Sequence, residues 1–136
     1  MLRWAQNDNR GNNKVKVKRT RFSTGKKKPI LPPAVSQALT DLKRSLQTMY
    51  GERLQGLYLY GSYARGDFRA DSDVDLLVAL AGEVNPCQEI DRLSALIADL
   101  CLRHDVLLTV LPAPAAWLAS RQSPLYVQVR QEGRAL

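Results

Sequence analysis

An α/β (α+β) fold, a small mixed sheet flanked by helices, is the class predicted for this chain of 136 residues. Three observations predict it. Segments with apolar residues at three- and four-residue steps alternate with short apolar or aromatic runs. Their order along the chain reads α-β-β-α-β-α, with no internal repeat. Proline or glycine stands at most of the junctions between them.

Ala34 to Tyr50 follows Pro32–Pro33 and reads as a helix, because Val35, Leu39, Leu42, Leu46 and Met49 form one apolar face. Gly51 supplies its stop. Leu57 to Tyr60 is short, apolar and aromatic, hence a strand. Gly61 to Ser72 is a polar connection with room for a short helical turn. Val74 to Leu80 is a second strand, and its unbroken apolar run predicts burial on both faces. Asn85–Pro86 starts a helix with Asn as the cap and Pro in the first turn. Ile90, Leu93, Ile97 and Leu100 carry its apolar face to about Arg103. Asp105 to Leu111 reads as a third strand, bounded by Pro112 and Pro114. A short helix is expected within Pro112–Ser120, and Ser123–Pro124 starts a last one that runs to about Glu132 before Gly133.

Composition narrows the classes. Hydrophobic residues make up 45%, enough for a packed core, which excludes a wholly disordered chain. The longest apolar stretch, Val74 to Ala81, falls far short of the roughly 20 residues of a membrane span. The basic N-terminus has no apolar segment behind it, so no secretory signal is expected. One His and two Cys are too few for a structural zinc site. Cys87 and Cys101 share one predicted helix, about 21 Å apart by rise alone, too far for a disulfide. Both are expected to fill core positions in a reducing, cytoplasmic compartment.

The net charge of +7 suggests a nucleic-acid partner, but its distribution is uneven. Residues 1–28 carry +9 and residues 29–136 carry −2. The first segment reads as a solvated, disordered extension. The sharper alternative is an arm that binds nucleic acid or a partner. Residues 29–136 form the folded domain.

The chemistry is expected in three acids and one turn. Asp73 and Asp75 stand two apart at the start of the second strand, which puts both on one face, about 6.5–7 Å apart. Asp105 opens the predicted third strand. If the two strands are neighbours, all three carboxylates converge at one sheet end and repel unless a cation compensates them. Hard oxygen ligands of this kind suit Mg²⁺. Just upstream, Gly61-Ser62-Tyr63-Ala64-Arg65-Gly66 follows a strand directly. Gly61 permits a tight turn, and backbone N–H groups there can cradle phosphate. Ser62 adds a hydroxyl, and Arg65 a forked donor either to phosphate or to the turn itself. His104 faces away from Asp105 and is assigned a structural role. Tyr58, Tyr60 and Tyr63 suit stacking on a base or packing equally, and Trp117 suits packing.

Gly61-Ser62, ten residues, then Asp73-Val74-Asp75 resembles the DNA polymerase β-like nucleotidyltransferase superfamily, and within it the minimal nucleotidyltransferases (MNT type). His104-Asp105-Val106-Leu107-Leu108 resembles its third, acid-bearing element. The likeness covers about residues 33 to 135. It implies a Mg²⁺-dependent transfer of AMP from ATP to a hydroxyl, with the outer phosphates on Gly61, Ser62 and Arg65. Asp73, Asp75 and Asp105 would be catalytic acids and ligands of two ions. It further implies an antitoxin acting on a tyrosine of a HEPN-type toxin. The alternatives are a partner-binding antitoxin without catalysis, and an aminoglycoside-type nucleotidyltransferase. Any nucleic-acid binding is expected to reside in the basic extension. A filter-binding assay should show it weakening steeply with salt and vanishing when residues 1–28 are deleted.

Overall fold

The structure is a computed structural model that describes residues 30–136. The predicted extension over residues 1–28 lies outside the described residues. Helix α1 spans Pro33–Tyr50, and a single 3₁₀ turn over Gly51–Arg53 leads into strand β1, Leu54–Tyr60. The short helix α2, Ser62–Arg65, follows, then β2, Val74–Leu80. Helix α3 spans Pro86–His104 and β3 Leu108–Pro114. Helices α4, Ala115–Ser120, and α5, Pro124–Glu132, precede a two-residue strand β4, Arg134–Ala135.

The sheet has the order β3-β2-β1-β4. Strand β1 runs antiparallel to both β2 and β4, and β2 runs parallel to β3. The sheet is therefore mixed, as expected. Period-2 alternation splits its side chains between two layers. Leu57, Leu59, Val74, Leu76, Val78, Leu80 and Leu108 pack with the apolar faces of α1 and α3. Tyr58, Tyr60, Leu77, Ala79 and Ala113 pack with Leu118 of α4 and with Tyr126 and Val129 of α5. Strand β2 is buried on both faces, which accounts for its continuous apolar run.

Two polar links join α1 to α3. Tyr50 Oη donates to Glu89 Oε1 at 2.6 Å inside the core, and burial together with that carboxylate pushes the phenol up to about 12. The Glu89 carboxylate also faces the Arg92 guanidinium at 3.4 Å. Nearer the other end of α3, His104 Nε2 lies 2.8 Å from Asp41 Oδ2, with Arg103 at 3.7 Å from the same oxygen. His104 thus serves a structural contact, made from the last turn of α3 rather than from the strand on which its direction was predicted.

Several expectations need correction. The third strand begins at Leu108, not Asp105, because α3 continues to His104 and ends through Asp105 in the left-handed region, φ 53°. Asp is one of the few residues that adopts that conformation readily. Pro112 and Pro114 lie inside β3 rather than beyond it. Strand β3 is an edge, and prolines are admitted where no ladder N–H is needed. Met49 and Ile90 are exposed, and Tyr50 and the hydrogen-bonded Glu89 take the buried positions beside them. Cys87 is exposed, whereas Cys101 is half-buried and accepts the N–H of Leu108 at 3.4 Å; both are free. Among the described residues no helix is long and apolar enough to cross a membrane.

Leu42 is fully buried at the α1 interface. Leu42→Ala should cost about 2–5 kcal/mol in urea unfolding. A second test uses pH. The hydrogen bond from His104 holds Asp41 below its ordinary 3.8, so the pairing stabilises the fold above that value. The contribution is lost as pH falls through the lower, folded-state value. In acid titrations followed by circular dichroism, Asp41→Asn should be less stable than wild type near neutrality, and the gap should close below about pH 4.

Candidate active site

The site lies where β1 and β2 meet at one end of the sheet. Tyr60, the last residue of β1, pairs with Asp75 in the antiparallel register. The chain then turns at Gly61, φ 78°, into α2, and leaves that helix through Gly66, φ 90°. A Cβ at Gly61 would fall 2.3 Å from Asp75 Oδ2. The positive φ calls for glycine, and any side chain here would also force the Asp75 carboxylate to turn aside.

Asp75 lies on the α4/α5 side of the sheet, level with Tyr60, and Asp73 stands exposed one residue before β2. Asp73 precedes the strand ladder by one residue, so pleat geometry fixes the direction of Asp75 alone, while the charge of Asp73 still acts on Asp75. Burial raises the Asp75 carboxyl above its ordinary value, and Asp73 raises it further; Arg65 opposes and Glu132 adds to the rise. Neither Asp73 nor Asp75 accepts a hydrogen bond from any described residue. Two neighbouring carboxylates with open lone pairs form a donor set that fits a divalent cation, which would relieve their repulsion.

Asp105 does not join them as a strand residue. It caps α3, two residues upstream of Leu107, whose carbonyl accepts the N–H of Val74 at 2.8 Å. The residue level with Asp75 on β3 is the exposed Thr109. Among the described residues, no three of His, Cys, Asp and Glu are grouped to hold a metal. The expected convergence of Asp73, Asp75 and Asp105 thus fails, because the strand boundary that would have produced it is displaced by the α3 cap.

The turn itself is arranged around a residue that sequence reasoning missed. Glu132 Oε2, at the end of α5, accepts from Gly61 N–H at 2.7 Å and from Arg65 Nη1 at 3.0 Å, with Oε1 at 3.3 Å from the same nitrogen. Gln128 Nε2 donates to it at 2.8 Å, one helical turn back. Arg65 Nε bonds Asp67 at 3.1 Å. Both Gly61 N–H and Arg65 are thus engaged inside the fold. Gly61 O accepts from Ala64 and Arg65, and Ser62 O accepts from Gly66 and Asp67. Ser62 N–H, Ser62 Oγ and Tyr63 N–H have no partner among the described residues and are the open donors of the turn. One signal for Glu132 was available: a carboxylate in the last turn of a helix opposes the macrodipole and so calls for compensating donors.

The tyrosines resolve toward packing. Tyr58 and Tyr60 are buried under α4 and α5, and Tyr63 stacks on Phe68 with centroids 4.3 Å apart. Trp117 packs edge-on against Tyr126 and holds the Arg121 guanidinium 3.7 Å from its ring centre.

A nucleotidyltransferase domain family model matches residues 39–111, from α1 into β3. The chain belongs to that family. It is a nucleotidyltransferase, and its fold is the polymerase β-like one. Two proteins of Methanocaldococcus jannaschii, MJ0141 and MJ0604, both named as candidate protein adenylyltransferases, are 29% and 31% identical to it over 75 residues. Each match takes in 55% of this chain, and 75% and 69% of those proteins respectively. A crystal structure described as a toxin–antitoxin with AMP-PNP superposes with a TM-score of 0.50 at 26% identity, covering 70% of this chain and 69% of that one. A variant of the MntA–HpeT toxin–antitoxin gives the same score at 24% identity, with the same coverage, and supports the fold alone. The matched segment 39–111 contains the turn and both aspartates of this nucleotidyltransferase but not Glu132.

Gly61→Ala should lower stability by about 1–3 kcal/mol in chemical denaturation, since it adds strain at positive φ and drives a methyl group into the Asp75 carboxylate.

Proposed function

We propose that this chain transfers AMP from ATP to a hydroxyl, namely a tyrosine on a HEPN-type toxin partner, and thereby acts as the antitoxin. One observation carries the chemistry: the unsatisfied pair Asp73 and Asp75 stands beside the open donors of the Gly61-Ser62 turn. The names of the relatives support a protein acceptor, and the neighbour described as a toxin–antitoxin with AMP-PNP supports an adenine nucleotide and a toxin partner.

Asp73 and Asp75 would hold the Mg²⁺ of a magnesium–nucleotide complex, a cation that commonly takes one or two carboxylates and completes its shell with water and phosphate. When bound, the ion supplies positive charge that offsets the triphosphate. This donor set fits one ion; Asp105 contributes no third carboxylate beside the pair. Ser62 N–H, Ser62 Oγ and Tyr63 N–H bind outer phosphate oxygens. Gly61, with no side chain, lets those oxygens approach the backbone. The acceptor oxygen attacks the α-phosphorus, the bond to the bridging oxygen of the β-phosphate breaks, and pyrophosphate leaves while the hydroxyl proton passes to water. The protein's share of such a transfer is mainly orientation and charge stabilisation.

The test is incubation of the chain with α-labelled ATP, Mg²⁺ and the partner. Label on a partner tyrosine is expected. Asp73→Asn and Asp75→Asn should each lower the rate about 100-fold or more. Wild-type transfer by either variant overturns the assignment, and tight association with no label supports a purely binding antitoxin.

A further inference from the structure

We infer that Glu132 is the positioning residue of the Gly61–Arg65 turn, so that nucleotide binding depends on α5 being docked through this one carboxylate. The inference rests on the nucleotide reading above. Glu132 lies at the C-terminal end of α5, where the helix field disfavours a negative charge. Three donors from two separate parts of the chain compensate it: Gly61 N–H, the Arg65 guanidinium and Gln128. The side chain is largely covered, at 21% exposure, and charge-assisted hydrogen bonds are among the stronger ones at such positions.

The geometry does more than join two elements. Binding Gly61 N–H fixes the peptide plane that enters the turn, at the residue whose φ is 78° and where the Asp75 carboxylate fills the space a Cβ would take. Holding Arg65 from the same carboxylate fixes the other end of α2. Between these two anchors lie Ser62 and Tyr63, whose donors stay open. The segment beyond Glu132 repeats the attachment: Arg134 Nε donates to Ala64 O at 3.0 Å, and Leu136 N–H to Leu57 O at 2.9 Å. The C-terminal segment therefore holds the turn at Gly61, Ala64 and Arg65 and makes no hydrogen bond to the Ser62 or Tyr63 donors.

A rival role has the opposite sign. A carboxylate on Gly61 N–H and Arg65 could stand where a phosphate belongs, and nucleotide would then have to displace it. Titration calorimetry on the full chain with the magnesium complex of AMP-PNP separates the two, run on wild type, Glu132→Gln and Glu132→Ala at a temperature where each is folded. Positioning predicts binding about 10- to 100-fold weaker for Glu132→Ala. Glu132→Gln, which keeps an acceptor for Gly61 N–H but loses the charge facing Arg65, should fall between, and it decides the matter should the alanine variant fail to fold. A residue needed only for folding would lower Tm and leave Kd unchanged. Equal or tighter binding by the variants overturns the positioning role alone. A wild-type chain that does not bind the complex overturns the nucleotide reading and this role with it.

Discussion

The register between β1 and β2 is the constraint from which the site follows. Pairing Tyr60 with Asp75 brings the end of one strand level with the second residue of the other. The turn after Tyr60 and the carboxylates around the start of β2 are thus neighbours despite the loop between them. A slip of one residue would send Asp75 to the α1/α3 side and Leu76 to the other. Both layers hold the register in place: Leu76, Val78 and Leu80 are committed to one core, Leu77 and Ala79 to the other. A strand buried on both faces pays for a slip twice, which makes β2 a firm base for charged residues at its open end.

Much of this was legible in the sequence because it is local. Apolar periodicity located α1, α3 and β2, and the Asn85-Pro86 start is realised by the Asn85 side chain accepting from Gln88 N–H at 3.3 Å. The paired aspartates and the glycine turn were legible because their residues lie close together in the sequence. The third acid was not. Whether Asp105 begins a strand or ends a helix depends on how far α3 runs, and an Asp satisfies both local rules. The helix runs on, and a left-handed cap follows. Glu132 and β4 were missed for a different reason, since their partners lie about 70 residues away in the chain. No periodicity within a window carries such a contact.

The core contains its own exceptions to simple patterning. Glu89 is buried where an apolar residue is usual, and Ile90 next to it is exposed. The hydrogen bond from Tyr50 explains the exchange, because a buried carboxylate is tolerated only with a donor in place. The tyrosines near the site follow the same economy: Tyr58, Tyr60 and Tyr63 are packed into the fold.

Pro112 and Pro114 have a consequence beyond their tolerance in β3. Residues two apart in a strand direct their backbone groups to the same side. Leu107 and Val74 are joined by a ladder bond, so odd-numbered residues of β3 address β2 and both prolines address the open edge. Over its C-terminal half that edge presents carbonyls without amides, so an incoming strand finds no donors there. Among the described residues, the C-terminal half of that edge is therefore poorly suited to pairing with an added strand.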